Sequence, residues 1–155
     1  MTQVIVRRRT RIAAVLLMST SLLLTGFATD QARAGQAAGD RAEMLQLTNE
    51  ARERRDIDLL RLNAKLSRYA VRHSRAMAQA GELFHTADLA DKLDGYRWSV
   101  GGENVGVAST LEDLQAAFMA SKPHRSNILR KGYDFTAIGV VESDGKVWVT
   151  VIFYG

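Results

Sequence analysis

The chain has 155 residues, with 21 Lys and Arg against 17 Asp and Glu, a formal charge of +4, and no cysteine. Without cysteine there is neither a disulfide framework nor a thiolate metal site, so an exported form must rely on packing alone. The positive excess would mark a nucleic-acid footprint only if it sat on the folded domain, and Arg7, Arg8, Arg9, Arg11 and Arg33 place it at the N-terminus instead.

Those arginines flank an apolar run from Ile12 to Leu24, softened by Ser and Thr. The run is shorter than the ~20 residues of a membrane-spanning helix. Ala32-Arg33-Ala34 then fits a small-x-small cleavage pattern. Residues 1–34 therefore read as an export signal cleaved near Ala34, with Ala28 as a second cut site. Its removal takes away five basic residues and one acidic residue, Asp30, leaving 16 of each sign in 121 residues. The mature chain is neutral, long enough for one domain with a real core, expected to lack a stable membrane span and not to bind nucleic acid. It is expected to be secreted or held on the exterior of the cell envelope.

Gly35 to Asp40 reads as a short flexible leader, and residues 41–155 as the domain. From Arg41, Met44, Leu47 and Ala51 recur at helical spacing. This helix carries Asn49 and Arg52, one turn apart, which are expected to fasten it to neighbouring backbone. Asp56 to Arg61 is a connection. Asn63 is a good N-cap for a second helix with Leu66, Ala70, His73 and Met77 on its inner face, and Gly81 is its natural stop. His73 on this apolar stripe reads as a hydrogen-bonded core residue. His85 follows in a loop, before an acidic segment with Asp88, Asp91 and Asp94. In Gly101-Gly102-Glu103-Asn104 the two glycines permit positive φ or a close backbone approach, which would aim Glu103 inwards; the spacing is not that of a phosphate loop.

Thr110-Leu111-Glu112-Asp113 resembles a capping box and opens a third helix with Leu111, Leu114, Phe118 and Met119 apolar. That helix runs into Ser121-Lys122-Pro123-His124-Arg125-Ser126-Asn127-Ile128-Leu129, which holds the only proline of the chain. Proline ends the first helix near Lys122 and starts a new turn as its first residue. His124 then sits at a helix N-terminus, which disfavours imidazolium and leaves an imidazole free to bind a metal or accept a proton. Residues 137–142 and 146–154 read as strands joined by an Asp-Gly turn at Ser143-Asp144-Gly145. The second strand is apolar at alternate and intervening positions alike, so helices should cover both of its faces. The expected fold is α+β: a three-layer α/β/α sandwich with an antiparallel sheet between helices.

Together, Asn49-Glu50-Ala51-Arg52, His73-Ser74, His85, Gly102-Glu103-Asn104-Val105, His124-Arg125-Ser126-Asn127-Ile128-Leu129 and Ile138-Gly139-Val140 resemble the CAP or SCP superfamily, in particular its exported bacterial branch. The resemblance covers about Arg41 to Gly155. It implies the three-layer sandwich already read from the strands, and a cleft in which His85, Glu103 and His124 match two histidines and an acid. Some members hold a divalent metal such as Zn²⁺ through the histidines. The second acid of eukaryotic relatives falls at about Ser121, and Phe118 stands where bacterial relatives often have Trp. Asn49, Arg52, Asn104, Arg125 and Asn127 are expected as structural supports, Arg125 for a carboxylate pair.

Two imidazoles and a carboxylate make a zinc set with water as fourth ligand, or a metal-free acid–base pair with Glu103 as the candidate catalytic group. No nucleophile elbow or His-Glu-x-x-His helix is present. The absent second acid and the mostly non-enzymatic character of the family favour a binding module for a small ligand, lipid or cell-envelope material. The alternative is a metal-dependent hydrolase of peptide or envelope polymer.

Overall fold

The computed structural model describes residues 21–155; the basic segment and the start of the apolar run, both read as export signal, lie outside them. The chain divides into residues 1–35 and a unit spanning residues 36–155. Among the described residues no helix is long and apolar enough to cross a membrane.

Helix α1 is Ser21–Glu53, so residues 35–40 are helical and not the flexible leader expected from the sequence. The alanines and Gln36 among them are good helix formers, and Gln36 Nε2 donates to Asp40 Oδ1 one turn on at 2.7 Å. Strand β1, Arg61–Leu62, follows, then α2, Ala64–Ala80. Asn63 caps α2 by accepting from Leu66 N, and Gly81 ends it at φ 67°. Helix α3, Leu89–Leu93, and strand β2, Gly101–Ala108, come next. Helix α4 is Leu111–Ala120 and α5 is Lys122–Ile128. Strands β3, Phe135–Ser143, and β4, Lys146–Tyr154, close the chain as a hairpin. Asp144 and Gly145 both have positive φ at its turn, as an Asp-Gly hairpin turn requires.

The sheet order is β1-β3-β4-β2. Strand β4 lies between antiparallel β3 and β2, while β1 adds a short parallel pair on the outside of β3. Alternation along β4 sorts its side chains between two layers. Val147, Val149, Val151 and Phe153 pack with Met44 and Ala51 of α1, Leu111, Leu114 and Phe118 of α4 and Ile128 of α5. On the other face Ile152 and Tyr154 pack with Leu66, Ala70 and Leu93, and Trp148 packs with Met77 and Val105. The three-layer α/β/α sandwich expected from β4 is the architecture found.

Two side chains bind the layers through backbone. Asn49 donates to Leu60 O at 3.1 Å and accepts from Leu60 N at 2.9 Å. Arg52 is fully buried and donates to four carbonyls, those of Asp58, Ile128, Arg130 and Tyr133, at 2.7 to 3.1 Å. Burial lowers its pKa, opposed by Asp58 and Asp134. The carbonyl dipoles satisfy the guanidinium where no carboxylate reaches it. His73 is the core residue expected, with Nδ1 3.1 Å from Thr150 Oγ1 of β4.

Candidate cleft at the free edge of β2

Strand β2 is an edge strand, and period-two alternation sends Glu103 and Asn104 to opposite faces. Glu103 opposes Ile152, on the α2 face, while Asn104 opposes Val151, on the α4–α5 face. The segment after α2 meets the first and α5 meets the second. The cleft therefore wraps around one strand edge, and His85 and His124 approach it from two layers.

On the α2 side, the buried Glu103 carboxyl (5% exposed) accepts three hydrogen bonds. His85 Nδ1 donates to Oε2 at 2.8 Å, Thr86 N to Oε2 at 2.9 Å and the Thr86 hydroxyl to Oε1 at 2.6 Å. Tyr69 of α2 donates its hydroxyl to Thr86 Oγ1 at 3.0 Å and completes the line. The carboxylate, an acceptor only, orients the exposed His85 ring through the proton on Nδ1. Glu103, expected as a third metal donor, thus has both oxygens already accepting. Sequence reasoning missed Thr86 and Tyr69; the adjacency of Thr86 to His85 was the available signal.

On the other side, α4 ends at Ala120 and Ser121 is the only residue between the two helices, in an extended conformation. Helix α5 starts at Lys122, so Pro123 is its second residue and not the first, at no cost because neither amide has an intrahelical acceptor. Ser121 lies against His124: its Oγ is 2.9 Å from Nδ1. The His124 ring packs on Phe118 at 5.0 Å. Arg125 does not serve a carboxylate pair as expected; its guanidinium donates to Met119 O and Ala120 O and closes the end of α4.

Asn104 and Asn127 tie the halves together. Asn104 Nδ2 donates to His124 O at 3.1 Å, and Asn127 Nδ2 reaches both Glu103 O, at 3.2 Å, and Asn104 Oδ1, at 2.9 Å. Gly102 makes this possible by close approach. A Cβ there would lie 2.3 Å from the Tyr133 hydroxyl and 2.8 Å from Asn127 Oδ1. Positive φ plays no part, since neither Gly101 nor Gly102 adopts it.

The pKa of His124 is lowered, first by burial and then by repulsion from His85, so the two imidazoles sense each other across the edge. Between the ordinary value of 6.5 and the lowered native one, the unfolded chain binds a proton that the native chain refuses. This residue therefore costs no stability above the window and destabilises the fold as pH drops through it. Urea titrations from above to below the window are expected to show that loss, and His124→Gln to remove this residue's share of the slope. An unchanged slope in the variant would exclude His124 as its source.

Among the described residues, no group of three or more His, Asp or Glu is placed to hold a metal ion. The cleft offers two imidazole nitrogens, one oriented carboxyl already in use and one serine hydroxyl.

Comparison with known proteins bears on the family and the fold. The chain is 28% identical over 113 residues to the uncharacterized protein YkwD of Bacillus subtilis, covering 68% of this chain and 44% of YkwD. It is similar to an extracellular SCP-domain protein of Bacillus anthracis at TM-score 0.67 and 25% identity, covering 76% of this chain and 41% of that one. An outer surface protein of Borrelia burgdorferi shares the fold at TM-score 0.66 and 14% identity, over 76% of this chain and 92% of its own. The chain spans less than half the length of YkwD and of the Bacillus anthracis protein. Residues 45–153 match the family described as "CAP: Cysteine-rich secretory protein family", and with two histidines set about a buried glutamate on this sandwich, the chain belongs to that family.

Proposed function

We propose that the chain is an exported, non-enzymatic binding domain whose cleft around Glu103 takes a ligand from lipid or cell-envelope material. The observation that carries this reading is the state of Glu103: each carboxyl oxygen is already held by a donor from the His85-Thr86 segment. A general base must be within reach of the proton it removes, and this carboxyl is buried with three of its roughly four acceptor sites taken. Ser121 occupies the position where a second acid would supply the missing base. Export is supported by the basic and apolar N-terminal pattern and by the extracellular and outer-surface descriptions of two structural relatives.

The same donor set bears on the metal. A catalytic zinc takes three protein ligands beside its water, and the cleft presents two imidazoles. Tightly held zinc does not fit these residues, and metal-dependent hydrolysis of peptide or envelope polymer is the weaker reading.

The test is a set of ¹H–¹⁵N spectra of the labelled protein titrated with phosphatidylglycerol vesicles, with soluble peptidoglycan fragments and with Zn²⁺. Vesicles or fragments are expected to shift the His85 and His124 imidazoles and the Thr86 amide, while added envelope polymer and peptides stay intact on long incubation. Zn²⁺ is expected to bind weakly, with complete removal by a chelator. Hydrolysis of peptide or polymer that His124→Ala abolishes would overturn the reading, as would zinc that survives chelation and is lost in His85→Ala.

A further inference from the structure

A second concavity, of about 920 Å³, lies at the end of the sheet where β1 and β3 begin and β4 finishes. It falls within the size range of small-ligand sites. None of the cleft residues lines it. Its aromatic wall is a fixed stack: Tyr96 lies 5.6 Å from Tyr154, Tyr154 lies 5.2 Å from Phe135 with the rings nearly parallel, and the Arg61 guanidinium sits 4.3 Å over Phe135. Asn63 locks the stack by donating to the Tyr154 hydroxyl at 2.8 Å.

Trp98, 38% exposed, lines the same concavity. Its loop is rigidly tied, since Ser99 N and Val100 N both donate to Gly155 O and Gly155 N donates back to Val100 O. An exposed indole on an anchored loop beside a built aromatic wall is a surface prepared for contact. The rim is charged: Arg61 and Arg97 against Asp134. Neither the Arg97 nor the Asp134 side chain has a hydrogen-bond or ion-pair partner among the described residues.

We infer that this groove binds a glycan whose sugar carries a carboxylate. The exposed indole face of Trp98 suits the C–H face of a pyranose ring, beside a wall whose own rings are taken up by one another and by Arg61. Asp134 accepts from ring hydroxyls, and Arg97 offers the planar fork that pairs with a carboxylate. The rim holds one more positive group than negative, which complements an acidic sugar. A lipid tail would have to bury two guanidiniums and a carboxylate against hydrocarbon. The inference takes from the proposed function only that the chain works among envelope polymers, and it stands at a different site from the cleft.

Calorimetric titration with a muramic-acid-containing disaccharide and with a neutral chitin oligosaccharide tests it, alongside ¹H–¹⁵N spectra in which the Trp98 indole reports the groove and the imidazoles report the cleft. The acidic sugar is expected to bind more tightly than the neutral one and to shift the Trp98 indole. Trp98→Ala should weaken it on the order of tenfold or more, Arg97→Gln should erase the preference for the acidic sugar, and His85→Ala with His124→Ala should leave binding unchanged. Unaltered spectra of the buried core in Trp98→Ala confirm that the variant is folded. The inference is overturned if neither sugar binds, if Trp98→Ala binds as wild type does, or if binding follows the histidines. Vesicle binding that needs Trp98, without sugar binding, would assign the groove to a membrane surface and overturn it too.

Discussion

Replacing Arg52 by alanine is expected to cost about 4 kcal/mol or more of folding stability, read as a drop in the urea midpoint. The guanidinium is fully buried and serves four backbone carbonyls, one before β1 and three at and beyond the end of α5. Each buried acceptor left without a donor costs roughly 1–3 kcal/mol, and water from the surface recovers part of the sum. Against the ~5–15 kcal/mol that holds a typical domain together, the loss is severe. Arg52→Lys is expected to recover little, because a single ammonium cannot fan out to four carbonyls. The effect should reach the cleft. Three of those carbonyls belong to Ile128, Arg130 and Tyr133, just after Asn127, whose amide joins Glu103 O to Asn104. A variant within about 1 kcal/mol of wild type would show that these carbonyls find other partners.

Gly139→Ala is expected to destabilise by about 3 kcal/mol through overpacking. A Cβ at Gly139 would stand 2.1 Å from Ala70 C and 2.3 Å from both Ala70 O and Val71 N. These are backbone atoms of α2, so no side chain can swing aside and the helix must lift from the sheet. Since α2 carries Tyr69, its displacement should uncouple the Tyr69–Thr86–Glu103 line and shift the Thr86 amide. Urea midpoints together with that amide resonance check both halves. Gly39, with no atom within 4 Å of an added Cβ, is the control position, where alanine should not destabilise. A Gly139→Ala protein as stable as wild type would mean that the contact between α2 and β3 is slack.

Elements with local signals were legible in the sequence. Asn63 and Gly81 bound α2 as read, and the Asp-Gly turn set the hairpin. The unbroken apolar character of β4 disclosed a layer on each side. Strand β1 had no such signal, since two residues carry no period and their pairing depends on Asp134 O and Thr136 O, far along the chain. Helix α3, five residues long behind the Asp88 cap, read as a polar segment for the same reason. The glycines of β2 hid its strand character, because each marks a close approach and not a pattern: Gly101 faces Leu93, Gly102 faces Tyr133 and Asn127, and Gly106 faces Leu114 and Phe118.

The site was legible only in pieces. His85, Glu103 and His124 come from three elements, and family resemblance alone brought them to one place. What the sequence could not reveal was allegiance: that Glu103 is committed to His85 and Thr86, that Ser121 leans on His124, and that Arg125 serves carbonyls. Those choices depend on packing between layers and leave no spacing to read.

The position of β4 in the sheet has a consequence for the order in which the domain can form. It is the last strand of the chain, yet β2 and β3 each pair with it and not with each other. A growing chain that has not reached Lys146 can make only the two-residue β1–β3 ladder, and β2 has no partner. The sheet therefore closes late: β4 folds back on β3 as a local hairpin, while its ladder with β2 joins residues distant in sequence, the kind of contact that slows folding. Until then both helical layers lack the β4 share of the apolar surface that they cover, Val149, Val151 and Phe153 on one side and Ile152 and Tyr154 on the other, so neither core is complete before β4 is in place.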